Sequence, residues 1–182
     1  QIQDDRIMSL YYKEPHLWIG YHIHGLEKVN VTNGETERFN SKTHATIESD
    51  SISAIAQVSD QLIGFTTFGG GFYTVSERSG KVRKYQNRSE DPDGLTPDKL
   101  FSLYKARDSK VYIGGIAGLN AYSHIDNEVS AIKAEDDESR FIETTQVLAI
   151  REDASGNLWL GSQNTGLILW RDGDRRNGLN VF

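Results

Sequence analysis

The sequence predicts an all-β protein made of β-propeller blades: four repeats of about 47 residues, each a four-stranded antiparallel meander. Three recurring anchors predict it. A glycine followed by an apolar residue stands at Gly25-Leu26, Gly71-Phe72, Gly118-Leu119 and Gly166-Leu167, in steps of 46, 47 and 48 residues. An apolar, small, apolar pattern stands upstream of each, as Ile7/Ser9/Leu10, Ile52/Ala54/Ile55, Leu100/Ser102/Leu103 and Val147/Ala149/Ile150. Between them lie Trp18-Ile-Gly20, Leu62-Ile-Gly64, Tyr112-Ile-Gly114 and Trp159-Leu-Gly161. Helical repeats of similar period need amphipathic helices, and no helical periodicity is visible.

The fourth unit shows each element most clearly. Val147–Glu152 is an apolar run of strand length, and Asp153-Ala-Ser-Gly-Asn157 carries the Asp-initiated, Gly-closed chemistry of a tight turn. Leu158-Trp-Leu160 follows as a second strand, then a polar turn at Gly161–Thr165, then Gly166–Trp170 as a third strand rich in β-compatible residues. A fourth strand is expected at Thr36–Phe39, Lys81–Tyr85, Val129–Lys133 and Leu179–Phe182. Each follows a turn, at Asn33-Gly34, Ser79-Gly80, Asp126-Asn127 or Asn177-Gly178. The units divide the chain into repeats 1–51, 52–99, 100–146 and 147–182 of a single domain over 1–182, either a partial propeller or a four-bladed one. In a propeller the first strand is innermost, where blades crowd the axis, so Ser9, Ala54, Ser102 and Ala149 supply room.

The string Glu152-Asp-Ala-Ser-Gly-Asn-Leu-Trp-Leu-Gly161 followed by Gly166-Leu167 resembles the repeat of the two-component regulator propeller family. Repeat one keeps Trp18-Ile-Gly20 and Gly25-Leu26, and repeat three keeps Tyr112-Ile-Gly114 and Gly118-Leu119. Repeat two departs from it, with Asp60-Gln61 in place of a Gly turn and Phe72 in place of leucine. The resemblance implies the extracytoplasmic, periplasmic sensing part of a membrane-anchored bacterial receptor, of the kind joined to a histidine kinase or a diguanylate cyclase.

Composition narrows the partners. With 182 residues, 37% hydrophobic and 25% charged, the chain has the makeup of an ordinary soluble domain. No apolar run approaches the ~18 residues of a membrane helix, so no membrane contact is expected of this segment, and Gln1–Asp5 lacks signal-peptide character. There is no cysteine, which removes disulfide and thiolate chemistry. A net charge of −6 argues against nucleic acid, since the one basic cluster, Arg171–Arg176, carries its own aspartates.

Loop lengths carry the functional expectation. The turns between first and second strands are short, whereas the connections between units, at 40–51, 86–99 and 134–146, are long and irregular. Strand direction reverses at every step, so the loops between second and third strands share a face with those long connections. Recognition is assigned to that face, because binding residues concentrate on loops held by a rigid scaffold. The expected ligand-binding residues are Tyr21, His22, His24, Phe68, Gln163 and Asn164, which are aromatic, amphipathic or amide groups suited to sugar faces and polar small molecules. They are expected to approach one another around the axis.

Candidate catalytic and metal chemistry has simpler explanations. His22 and His24, two apart on a strand, would point the same way and could pinch a metal with His16, His44 or His124, but no carboxylate at matched spacing supports it. Asp91-Pro-Asp-Gly94 lacks the alternating ligands and closing glutamate of a calcium loop. The run Glu135–Glu138 reads as a solvated tip, Asp153 as a turn residue, and Phe65–Gly71 lacks the lysine and helix of a phosphate cradle. No catalytic residue, metal site or cofactor is therefore expected.

The function expected is a non-enzymatic recognition module that takes a small molecule, an oligosaccharide fragment or another propeller. The alternative is a polysaccharide-acting propeller lyase or hydrolase. Trp18, Tyr112 and Trp159 are expected to be buried between blades. An open arc of four blades would expose Met8, Leu10 and Leu167, which favours self-association into a homodimer over a closed four-bladed ring.

Overall fold

The computed structural model describes residues 6–86, 94–95, 98–134, 139–171 and 179–181. Gln1–Asp5, most of Asp91–Gly94, the acidic run Glu135–Glu138, Asp172–Arg176 of the basic cluster, the Asn177-Gly178 turn and Phe182 lie outside them.

The chain forms four sheets in sequence, each with its strands in chain order and antiparallel throughout. The first blade contains β1 (Ile7–Lys13), β2 (His16–Tyr21), β3 (Leu26–Asn30) and β4 (Thr36–Phe39). The second contains β5 (Ile52–Ser59), β6 (Leu62–Thr67), β7 (Gly71–Ser76) and β8 (Val82–Tyr85). The third contains β9 (Leu100–Lys105), β10 (Val111–Gly115), β11 (Leu119–Ser123) and β12 (Glu128–Ala131), and the fourth β13 (Val147–Glu152), β14 (Leu158–Ser162), β15 (Leu167–Trp170) and β16 (Leu179–Val181). A 3-10 turn, Arg140–Glu143, lies in the last connection. In the first three blades the third-to-fourth strand turns contain left-handed residues at Gly34, Gly80 and Asn127, where turn chemistry was expected.

The first strands stand side by side: β1 packs along β5, β5 along β9 and β9 along β13. The expected small residues sit at these contacts and also bond across them. The Ile55 N–H donates to Ser9 Oγ at 3.1 Å, and Ser102 Oγ donates to the Val147 carbonyl at 3.3 Å. The core lies between blades as three layers. Trp18, Leu26 and Phe39 meet Ile52, Ile55 and Phe65 at the first junction. Val58 and Phe72 meet Leu103, Ile113 and Tyr122 at the second, and Tyr112 and Leu119 meet Ile150, Leu160 and Ile168 at the third. Among the described residues no contact of comparable extent joins β13 to β1. The four blades therefore form an open arc among the described residues.

The second blade departs from the register expected from sequence. Ser9, Ser102 and Ala149 pair with Gly20, Gly114 and Gly161, but Ala54 pairs with Thr66, and Ile55 with Phe65. Gly64-Phe65-Thr66 is thus the counterpart of Trp18-Ile19-Gly20, two residues beyond the Leu62-Ile-Gly64 alignment. Packing explains the slip. A Cβ at Gly64 would come within 2.8 Å of Val58 Cγ2 and 3.0 Å of Phe72 Cε2. The Phe72 ring fills the volume that an aromatic on the second strand fills in the other blades, so the two degenerate positions compensate each other.

The burial expected of the aromatic trio holds in two of three cases. Trp18 and Tyr112 are buried, whereas Trp159 is half-buried, with Nε1 donating to Asp153 Oδ2 at 3.1 Å. Trp159 lies on the face of the fourth blade turned away from the third, which no blade among the described residues covers.

The glycine that revealed the repeat has a backbone cause. Gly25, Gly71, Gly118 and Gly166 all have φ between +79° and +93°. A Cβ at Gly71 would also lie 2.5 Å from the Tyr85 carbonyl oxygen. Only glycine enters the third strand there without both penalties.

Candidate functional site

The loops between second and third strands and the connections between blades occupy one end of the arc, joined by a repeating set of backbone bonds. His22, Phe68, Ile116 and Gln163 each donate their N–H to the residue preceding the blade's own first strand or one close to it, Arg6, Ser51, Lys99 and Gln146, at 2.8 to 3.1 Å. Further bonds run from Gly25 to the Asp50 carbonyl (2.9 Å), from Gly69 to Asp98 (3.0 Å) and from Gly118 to Thr145 (2.8 Å), tying each loop to the connection into the next blade.

The long connections are anchored as well. Ile47, Leu95 and Ile142 are nearly fully buried, one in each of the three inter-blade core layers. Their spacing of 48 and 47 residues is a further repeat anchor that the sequence reading missed, because the polar residues around each one mask it. These connections are parts of the scaffold and hold the neighbouring loops in place.

The six expected binding residues fall into three groups. Tyr21 is fully buried, with its hydroxyl donating to Glu27 Oε2 at 2.6 Å, and its burial removes it from any ligand-facing surface. Its ring meets the exposed His24 edge-on at 6.4 Å. His22 is half-buried, and its Nδ1 is shut away from solvent with no hydrogen-bond partner among the described residues. Phe68, Gln163 and Asn164 are exposed, Phe68 resting against Phe101 at 5.4 Å. Two exposed apolar side chains that were not expected, Ile23 and Ile116, extend this surface along the same loops. Their signal in the sequence is an aliphatic residue in a polar turn, where burial cannot explain it.

β2 ends at Tyr21, so His22 and His24 lie in a bend and do not share a strand face as the pinching geometry required. His16 is at the opposite end of β2, its pKa lowered by burial and by the Lys28 ammonium. His44 stacks on Phe39 at 5.0 Å. Among the described residues no three His, Asp or Glu side chains are grouped to hold a metal ion.

The ionisable groups with the largest shifts hold the structure together. Burial pushes the Tyr73 hydroxyl up to about 12 while it accepts the Glu48 N–H at 3.1 Å. Burial and the hydrogen bond with Tyr85 raise Tyr122. Asp153 is held down at about 2, chiefly by the Asn157 side-chain amide and then by Trp159 Nε1 and the Asn157 and Ser155 N–H groups. It closes the hairpin turn as the sequence suggested.

Two clefts flank the junction of the third and fourth blades. One of 480 Å³ is lined by Lys110, Asp126, Glu128, Lys133 and Ile142, the other, of 420 Å³, by Arg107, Tyr112, Glu152 and Leu158; Trp170 borders both. Part of the second is committed to the junction, since Arg107 donates to the Asp153 and Ala154 carbonyls at 2.8 and 3.0 Å.

Residues 142–164 match the family model described as the two component regulator propeller. The chain is 26% identical over 174 residues to a histidine kinase, P4, of Formosa agariphila, covering 92% of this chain and 12% of the kinase. Among solved structures it is similar to the extracellular domain of a hybrid two component system of B. thetaiotaomicron, with a TM-score of 0.76 and 21% identity over 100% of this chain and 24% of that one. It is also similar to the computationally designed Ika4 protein, with a TM-score of 0.67 and 11% identity over 95% of this chain and 94% of that one. The chain therefore spans a small part of both the kinase and the extracellular domain, and the likeness to the solved structures is one of fold, the β-propeller.

Proposed function

We propose that these blades are a non-enzymatic recognition part of the periplasmic sensor region of a bacterial two-component or diguanylate cyclase receptor. Their ligand is a small molecule, an oligosaccharide fragment or another propeller. The observation that carries the reading is the loop end of the arc. There Phe68, Ile23 and Ile116 are exposed, as are His24, Gln163 and Asn164, on loops whose backbone is tied down by the repeating bonds described above. Exposed apolar groups interleaved with amide and imidazole groups on a rigid frame suit an amphipathic ligand such as a sugar ring. The match to the two component regulator propeller and the descriptions of the relatives support the receptor setting.

A thermal-shift screen of oligosaccharides and amino acids, run beside chromatography of the same mixtures, tests this. Saturable stabilisation with the oligosaccharide recovered intact is expected, whereas release of shortened or unsaturated sugars would establish turnover and overturn the non-enzymatic reading.

A further inference from the structure

Every blade carries the same irregularity at the loop end of its first strand. The pairing of first with second strands skips one residue between Ile7 and Ser9, Ile52 and Ala54, Leu100 and Ser102, and Val147 and Ala149. The skipped residues are Met8, Ser53, Phe101 and Leu148. A bulge of this kind re-aims a side chain and is over-represented beside functional sites. The residue after it is always small, because the next blade crowds it, whereas the bulged position holds a thioether, a hydroxyl, an aromatic ring and an aliphatic group. Packing does not dictate the chemistry there.

Ser53 and Phe101 stand on the two middle blades, each with a blade on either side, and their strands β5 and β9 pack together. The half-buried Phe101 ring meets that of Phe68 at 5.4 Å with the planes tilted by 59°, and neither ring belongs to the three core layers. Phe68 is 50% exposed on fixed backbone: its N–H donates to the Ser51 carbonyl at 2.8 Å, and its carbonyl accepts the Ser49 hydroxyl at 3.4 Å. On β5 the Ser53 hydroxyl lies 2.8 Å from that of Thr66, two residues before Phe68.

We propose, on the recognition reading above, that Phe101 and Phe68 seat the apolar face of one pyranose ring of an oligosaccharide and that Ser53 takes a hydroxyl at its edge. A sugar ring has C–H groups on its faces and hydroxyls around its rim, so it uses both the rings and the hydroxyl; an aromatic ligand uses the rings alone. Thr66 occupies one of the three hydrogen-bonding positions of Ser53 Oγ and holds it in place, which leaves capacity for a ligand hydroxyl.

Isothermal titration of the 182-residue chain with hexaoses of glucose, galactose, mannose and xylose, and with indole, tests the proposal. At least one hexaose is expected to bind, and Phe68→Ala and Phe101→Ala should each weaken it about tenfold. Phe101→Tyr, which keeps the ring, should bind as the parent does, and Ser53→Ala should weaken the hexaose about fivefold. Phe68 lies outside the core, so Phe68→Ala should keep the parent melting temperature; should Phe101→Ala lower it, Phe68→Ala and Phe101→Leu carry the test. Parental hexaose affinity in both phenylalanine variants would overturn the proposal while leaving recognition at the loop end standing. Binding of indole but of no hexaose would overturn the pyranose assignment. Binding of neither would overturn the proposal together with the oligosaccharide reading on which it rests.

Discussion

Trp18→Ala removes the largest side chain in the junction between the first two blades. The indole is fully buried, stacked on Phe39 at 5.7 Å with the Lys28 ammonium 5.6 Å above it. An indole buries about 200 Å² of largely apolar surface, and at about 25 cal/mol per Å² its loss costs about 5 kcal/mol. That agrees with about 3–5 kcal/mol for truncating a core aromatic and with removal of much of a small domain's stability. Trp159 has the same repeat position but is half-buried, so Trp159→Ala should cost about half as much. Because Trp18 Nε1 is buried with no hydrogen-bond partner among the described residues, Trp18→Phe sheds an unsatisfied donor. It should therefore cost less than about 2 kcal/mol. Urea denaturation measures all three. A Trp159→Ala cost equal to that of Trp18→Ala, or a Trp18→Ala midpoint within experimental scatter with an unchanged slope, would show that burial between blades does not set these costs.

Gly71→Ala, at φ +93° with a carbonyl oxygen 2.5 Å from the new Cβ, should cost about 2 kcal/mol or more, and Gly34→Ala, at φ +77° with open space, about 1; equal shifts in melting temperature would show that the carbonyl contact is unimportant. Asp153, held at about 2 in the fold, contributes stability that is present above the ordinary carboxylate pKa near 4 and lost as pH falls to about 2. Asp153→Asn should flatten stability over that window, and an acid limb as steep as that of the parent chain would rule the carboxylate out. Tyr73, at about 12, contributes stability that is complete below pH of about 10 and lost as pH rises to about 12. Tyr73→Phe should accordingly leave the phenolate absorbance that develops near pH 10 unchanged; a lost signal there would place Tyr73 in solvent.

The repeat was legible because its causes are local and strict. A left-handed entry to the third strand leaves few residues besides glycine, and the small residues of the first strands meet the next blade directly. The second-blade register was not legible, since Leu62-Ile-Gly64 imitates the motif and only the three-dimensional exchange of Phe72 for a second-strand aromatic reveals the slip. The partial exposure of Trp159 follows from its place on a face that no blade among the described residues covers, which no repeat pattern encodes. At the loop end, residue type identified His24, Phe68, Gln163 and Asn164 as polar or aromatic groups on loops. It could not separate Tyr21 from them, because that depends on the buried Glu27 carboxylate across the hairpin. The clefts beside Trp170 form from residues of two blades, and no single repeat contains them.

The most direct test of the account is amide chemical-shift mapping of the chain with the oligosaccharide or amino acid that stabilises it in the thermal screen. Recognition at the loop end predicts perturbations concentrated at residues 22–25, 68–70, 116–118 and 163–166, with the turns at 60–61, 106–110 and 153–157 unmoved. Shifts confined to those short turns, or to the clefts around Trp170, would contradict it.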